Sequence, residues 1–399
     1  MTTGPPQRDE GTAPVTPTQP APSLRVALDA TALLGRPTGV GAFCAGLLAG
    51  LGRRPDLSVN AFAVSWRRRR GIVDAVPPGV AVHQRPMAAR PLHAAWRRVG
   101  GPPVEWFVGA ADVVHGTNFV VPPTRRAGRV MTVHDLTTVR YPEMCTPAAL
   151  AFPPLIRRAL VEGAFVHTPS RFVADEVVDV FGADPDRVQA VHSGVPALPA
   201  PGAAAADALA RLVPPGATEV VAAVGTAEPR KDLPGLVAAF DRLAGDRPGL
   251  VLVLAGPPGW GEAALDAAVS ASPFPGRIVR TGWIDDQTRT ALLARADVLA
   301  YPSVYEGFGF PPLEAMALGT PVVASTAGAL PEVLGDAAVL VPPGDPDGLA
   351  AALARVLDDP DLAAALAARG SERAAGYTWD ACAEGVTDLY RRATPRGGR

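Results

Sequence analysis

The chain has 399 residues, 48% of them hydrophobic and 19% charged, and a formal net charge of −2. That length exceeds what one core usually covers, so two domains are expected, and the apolar content excludes a chain disordered throughout. The small net charge gives no global attraction to nucleic acid, no apolar run approaches the ~18 residues that span a bilayer, and Cys44, Cys145 and Cys382 lack the spacing of a zinc site or the number of a disulfide framework, which fits a reducing cytoplasm.

Residues 1–22 carry Pro, Thr, Gly and mixed charge without an apolar stretch, and are expected to be a disordered tail and not a signal peptide. A first strand is predicted over 24–30, and the glycines of L-G-R-P-T-G-V-G-A-F mark the turn into a helix over 41–53. Gly39 and Gly41 resemble the start of a G-x-G-x-x-G fingerprint, but the third position is Cys44. The strand after it, 57–66, runs into arginines at 67–70 where a ribose-binding acid would stand, which disfavours an NAD enzyme.

Arginines interleaved with aromatic residues at 66–70 (W-R-R-R-R) and 92–98 (L-H-A-A-W-R-R) suit an anionic membrane surface or a lipid phosphate. They equally suit a solvated face enriched by codon bias, because Lys231 is the single lysine among 37 basic residues. Strands over 112–115 and 129–134 end in H-G-T-N (115–118) and V-H-D-L (133–136), at the strand ends where open parallel sheets keep their ligands. His134 with Asp135 reads either as an acid–base pair or as a satisfied turn.

Helices over 148–160 and 170–181, the latter capped by Ser170, flank a strand over 164–168, and a strand over 188–191 closes this series. An Ala- and Pro-rich stretch, 196–215, reads as a linker with a short helix inside. Strands over 219–224, 250–255, 277–281, 297–301 and 321–324 then alternate with helical segments, which implies a second parallel sheet with right-handed crossovers. An amphipathic segment over 379–392 ends the periodic part of the chain.

Two strand-to-helix turns concentrate the chemistry. The first, V-G-T-A-E-P-R-K-D at 224–232, holds Thr226, Arg230 and Lys231. A planar fork beside a mobile point charge is a complementary way to hold a diphosphate, although an R-K pair alone is also a common surface feature.

The second runs over 301–325, Y-P-S-V-Y-E-G-F-G-F-P-P-L-E-A-M-A-L-G-T-P-V-V-A-S. Pro311 and Pro312 fit only a helix's first turn, which puts Glu306 in a loop with Gly307, Phe308 and Gly309 and puts Glu314 near the helix start. Glycines beside a helix N-terminus let backbone N–H groups approach an anionic or hydroxylated ligand, while the plain alternative has Glu314 only offsetting the helix dipole. Asp184-Pro185-Asp186 and Asp345-Pro346-Asp347 match the letters of a manganese-binding motif, but each precedes an apolar-periodic segment and reads as a capping turn.

The 301–325 string, with seven residues between its two glutamates, resembles the donor-site signature of the retaining family-four glycosyltransferases of GT-B fold, the bacterial mannosyltransferase-like group 1. The likeness extends over most of 24–390. It implies an α/β GT-B architecture of two Rossmann-like domains facing a cleft: an acceptor-binding domain over 23–196, a linker over 197–216, a nucleotide-sugar-binding domain over 217–376, and a helix over 377–393 crossing back. It also implies that Gly39 and Gly41 face the donor phosphates, that His134 lies near the donor sugar, and that Glu306, His134, Arg230 and Lys231 act in catalysis. Thr226, Gly307, Phe308, Gly309 and Glu314 would join Gly39, Gly41, Arg230 and Lys231 in binding the donor.

The activity implied is metal-independent transfer of a hexose, mannose from GDP-mannose, to a glycan or lipid-linked acceptor in the cytoplasm or at the inner face of the plasma membrane, with no cofactor beyond the donor. Ser193 and Asp232 depart from the family, which more often has Asn at both positions. A sugar phosphorylase-like enzyme and a silent nucleotide-sugar-binding protein remain the alternatives.

Overall fold

The computed structural model describes residues 23–395 except 36, 37 and 197, with no side-chain placement at 69 and 97–99; the tail expected over 1–22 lies outside the described residues. Its first sheet holds β1 (Leu24–Asp29), β2 (Leu57–Phe62), β3 (Ala81–His83), β4 (Val113–Gly116), β5 (Gly128–Thr132), β6 (Phe165–Thr168) and β7 (Val188–Ala190), in the order β3-β2-β1-β4-β5-β6-β7. The second holds β8 (Glu219–Val224), β9 (Leu250–Ala255), β10 (Ile278–Gly282), β11 (Val298–Tyr301), β12 (Val322–Ser325) and β13 (Val339–Val341), in the order β10-β9-β8-β11-β12-β13. All the ladders among the described residues are parallel.

The strands read as continuous apolar runs because helices cover both faces of each sheet. In β9 the side chains of Leu250, Leu252 and Leu254 enter one core, and those of Val251, Val253 and Ala255 enter the core on the opposite face. Strand β2 stops at Phe62, short of the expected 66, because its neighbour β1 ends at Asp29, the partner of Phe62, and no further ladder is available. Strands β3 and β13, three residues each, were not expected, although the equally short β7 was.

The polar residues read as caps, Ser170, Asp184 and Asp345, take that role, and Thr38 and Asp232 take it too. Thr38, Ser170, Asp184, Asp232 and Asp345 each accept a backbone N–H two or three residues on, so the two Asp-Pro-Asp segments are turns. Leu92 and Trp96, from one of the arginine-rich segments, are buried in the first core, and Trp96 Nε1 donates to the Pro102 carbonyl. That removes its tryptophan from any outward membrane face. No helix among the described residues is long and apolar enough to cross a membrane.

Helix Ala203–Leu212 packs Leu209 against the second core, whereas helix Trp379–Ala393 returns to the first. There Val386 and Leu389 meet Phe43, Leu47 and Leu51 of helix Gly39–Gly52, each burial stabilising the contact by about 1.5–3 kcal/mol. The close approach needs Gly46 and Gly50, since a Cβ at either would overlap Trp379.

Tyr390 of the same helix ends a buried polar chain whose proton positions follow from its far end. The Val191 carbonyl only accepts, so His167 donates from Nε2 (3.0 Å) and its Nδ1 accepts from Thr132 Oγ1 (3.0 Å). Thr132 in turn accepts from His115 Nε2 (2.8 Å), which leaves His115 Nδ1 to accept from the Tyr390 hydroxyl (2.7 Å). Burial holds both imidazoles neutral, with His167 lowered to about 4 and His115 displaced in the same direction.

Candidate active site

In each sheet the strand order reverses beside the first strand, and the crevice beyond the strand ends at that point is where open α/β sheets bind ligands. In the second sheet the point lies between β8 and β11. The two segments leaving those strands, 225–232 and 302–309, meet there: the Val304 N–H donates to the Arg230 carbonyl (2.8 Å). Arg230, Lys231 and Glu306 form one cluster. Glu306 Oε1 lies 2.5 Å from Lys231 Nζ and 2.9 Å from Arg230 Nη1, and Arg230 Nε is also 2.8 Å from Glu228 Oε2.

The Lys231 ammonium donates to the Tyr301 hydroxyl as well (2.6 Å) and sits 4.6 Å from the centre of that ring. Buried charge is tolerated here because every charge is paired. Burial pushes the Glu306 carboxyl up, but Arg230 and Lys231 more than offset it and hold it at about 2. For Lys231, burial and the neighbouring Arg230 charge outweigh Glu306 and lower the ammonium. Arg230 is displaced upward, because Glu306 and Glu228 together outweigh its burial. At neutral pH Glu306 is therefore a carboxylate, able to accept hydrogen bonds and unable to give a proton.

Glu314 lies apart from that cluster. Helix Phe310–Ala317 starts at Gly309, whose φ of 114° favours glycine; Pro311 and Pro312 occupy its first turn as expected, and Glu314 lies in the second. Its side chain is 2% exposed and pairs with Arg289 of helix Asp286–Arg295 at 3.4 Å. Glu314 Oε2 and Arg289 Nε are both buried without a hydrogen-bond partner. Burial raises the Glu314 carboxyl, which Arg289 only partly counters. Unsatisfied buried groups cost about 1–3 kcal/mol each, a cost that hydroxyl or carbonyl groups brought to the pair would relieve.

The remaining predicted residues fall around these two groups. Gly307 approaches the first half so closely that a Cβ would strike the His134 carbonyl oxygen. His134 donates from Nε2 to the Thr117 carbonyl (2.8 Å) and, with burial lowering its pKa, is a neutral ring whose Nδ1 is an acceptor. Gly39 and Gly41 open helix Gly39–Gly52. The Gly41 N–H is taken by the Thr38 hydroxyl (3.1 Å), and a Cβ at Gly39 would meet Phe310 at 3.9 Å, which sets this helix start against helix Phe310–Ala317.

Phe308 is buried among Phe310, His192 and Tyr377, so its backbone and not its ring is left for a ligand. Thr226 follows β8 and gives its carbonyl to the Glu228 N–H (2.7 Å). Glu228, Tyr301 and Arg289 were not singled out from sequence. The first two stand inside the quoted motifs, whereas Arg289 shows no local signal.

Residues 208–373 match the protein family described as "Glycosyl transferases group 1". The O-antigen chain mannosyltransferase B of Escherichia coli is 31% identical over 285 residues, which cover 70% of this chain and 74% of that protein. The D-inositol 3-phosphate glycosyltransferase of Kineococcus radiotolerans is 37% identical over 298 residues, covering 66% of each. Among solved structures, sucrose-phosphate synthase from Thermosynechococcus elongatus superimposes with a TM-score of 0.69 at 22% identity, over 92% of this chain and 98% of that one. The last likeness bears on fold, the first two on family, and together with the paired sheets they place the chain: it belongs to the Glycosyl transferases group 1 family and is a glycosyltransferase of GT-B architecture.

Proposed function

We propose that the protein moves a hexose, mannose from GDP-mannose, with retention of configuration and without a metal ion, to a glycan or lipid-linked acceptor. The observation that carries this reading is the Arg230–Glu306–Lys231 cluster at the switch point of the second sheet. Two cations gathered on one carboxylate oxygen are a site that an incoming diphosphate would share, and they would balance the charge that develops as the glycosidic bond breaks. The name of the Escherichia coli relative favours mannose.

Glu306, ionised at neutral pH, accepts hydrogen bonds from the hexose hydroxyls, and the neutral His134 offers its Nδ1 as another acceptor. Glu314 accepts from the ribose hydroxyls. Arg230 and Lys231 supply the positive charge a metal would otherwise bring, and the Asp-Pro-Asp segments that could have recruited one are engaged as caps.

A thermal-shift screen of GDP, UDP and ADP sugars, followed by product anomer analysis with the donor that binds, tests the reading. GDP-mannose is expected to stabilise most, by roughly 2.7 kcal/mol at a hundredfold excess over Kd, and turnover should survive chelators. Turnover with a UDP or ADP sugar but not with GDP-mannose would overturn the donor assignment. Dependence on inorganic phosphate would make the enzyme phosphorylase-like, and nucleotide binding without release of product in any mixture would make it a binding protein.

A further inference from the structure

The loop that carries Glu306 is held from two sides. From the second half of the molecule, Arg230 accepts from the Val304 N–H (2.8 Å) and its Nη1 donates to the Tyr305 carbonyl (3.4 Å). From the first half, the Leu136 N–H donates to the Tyr305 hydroxyl (3.0 Å), that hydroxyl donates to Glu176 Oε2, and Ser170 Oγ donates to the Gly307 carbonyl (2.8 Å). Tyr305 and Gly307 are the immediate chain neighbours of Glu306.

Glu176 stands on helix Arg171–Phe181, is 7% exposed, and has Arg140 as its ionic partner at 2.6 Å. Burying a carboxylate is costly, and an interface that only had to stick could have used the apolar surface that Phe172 and Tyr141 already bring against the Tyr305 ring. The Tyr305 phenol is pushed up by burial and by Glu176, so it stays protonated and keeps its donor role.

We propose that Tyr305 and Glu176 are positioning residues for the transfer reaction: through their hydrogen bond the first half sets the donor loop, so that Glu306 is aligned only when the two halves are closed on each other. Contact across the cleft is thereby coupled to the chemistry, and the Arg140–Glu176–Tyr305 chain is the coupling element. This rests on the reading of Glu306 as the hexose-facing carboxylate. Nucleotide affinity should not depend on the contact, because Arg230, Lys231 and Glu314 all belong to the second half.

The test compares wild type with Tyr305→Phe, Glu176→Ala and the double variant, measuring kcat with the sugar nucleotide, the Kd of the free nucleoside diphosphate by calorimetry, and hydrogen exchange of the Leu136 amide. Each single variant is expected to lose roughly 10–100-fold in kcat while Kd stays within about threefold. The double variant should lose little more than the worse single, since each single variant already breaks the Tyr305–Glu176 bond. Glu176→Gln, which keeps an acceptor for the phenol, should recover most of the kcat lost in Glu176→Ala.

The Leu136 amide should exchange at least tenfold faster in Tyr305→Phe. A kcat within threefold of wild type, additive losses, or an equal loss of nucleotide affinity would overturn the proposal. If wild type transfers no sugar, the functional reading fails on its own, and exchange then decides the contact: unchanged protection of Leu136 in Tyr305→Phe would refute it.

Discussion

The two halves share one strand order around β1 and around β8, the first adding β7 at its edge, yet their polar interiors are opposite in kind. Behind the strand ends of the first half lie neutral groups, the His115–Thr132–His167 chain and His134, all held uncharged by burial. At the same place in the second half lie the charged side chains Arg230, Lys231, Glu228 and Glu306, paired with one another. One topology thus carries a neutral, internally hydrogen-bonded polar interior in one half and a charged cluster in the other. The difference rests on a few side chains at the switch points and not on the fold.

The charged face breaks most severely if its lysine is removed. Lys231→Ala takes away one of two cations on Glu306 and the donor to Tyr301. Breaking a buried pair costs about 3–5 kcal/mol, an upper bound here because Arg230 remains on Glu306. Turnover should fall by two orders of magnitude or more, with a smaller loss of nucleotide affinity, because the diphosphate gains charge only as the bond breaks. A kcat within about threefold of wild type would remove Lys231 from the mechanism.

The same cluster predicts an acid-labile contribution to stability. The folded Glu306 carboxyl, at about 2, lies below its ordinary 4.5, so its contribution is full above pH 4.5 and is lost as pH falls through about 2. The shift corresponds to about 3 kcal/mol in all, of which about 2 should vanish between pH 5 and pH 3. Urea denaturation at those two pH values should show a drop in wild type that is smaller by that amount in Glu306→Gln. Equal drops would mean that the pair adds no pH-dependent stability.

The neutral face should fail differently. Tyr390→Phe leaves His115 Nδ1 buried without its donor, at a cost of about 1–3 kcal/mol. Because the chain ties helix Trp379–Ala393 to the first sheet and reaches none of Arg230, Lys231 or Glu306, kcat should change by less than about twofold. A large kcat loss with unchanged denaturation midpoint would erase the distinction between the halves.

What sequence made legible follows the range of the forces involved. Continuous apolar runs such as L-V-L-V-L-A over β9 announce a strand covered on both faces, and the proline pair at 311–312 places the start of helix Phe310–Ala317, because both signals are local. The three-residue strands β3 and β13 were not read from sequence, although the equally short β7 was. Tyr305 with Glu176, Arg289 with Glu314 and Tyr390 with His115 join distant segments, and nothing in the local pattern at either end of each pair names its partner. Thus Glu306, Arg230 and Lys231 could be nominated from their turns, whereas the pairing of Glu306 with both cations required the fold.

The smallest expected effect separates the two glutamates of the charged half. Glu306 is saturated by cations and ionised, whereas Glu314 is raised by burial and keeps Oε2 without a partner. A carboxylate waiting with a free oxygen suits the ribose, which is bound alike in substrate and transition state. A carboxylate at the turn of the glycine loop suits the hexose, whose ring flattens as the bond breaks. Losing the first contact weakens uniform binding, and losing the second slows chemistry. Glu314→Gln should therefore raise KM and weaken free nucleoside diphosphate roughly tenfold, the worth of one charge-assisted hydrogen bond, with kcat little changed. Glu306→Gln should lower kcat and leave that affinity within about threefold. Calorimetry with the nucleoside diphosphate on both variants decides the matter. Equal losses would show that the two carboxylates hold the same part of the donor, and the contrast between a paired and an unpaired glutamate would then carry no functional meaning.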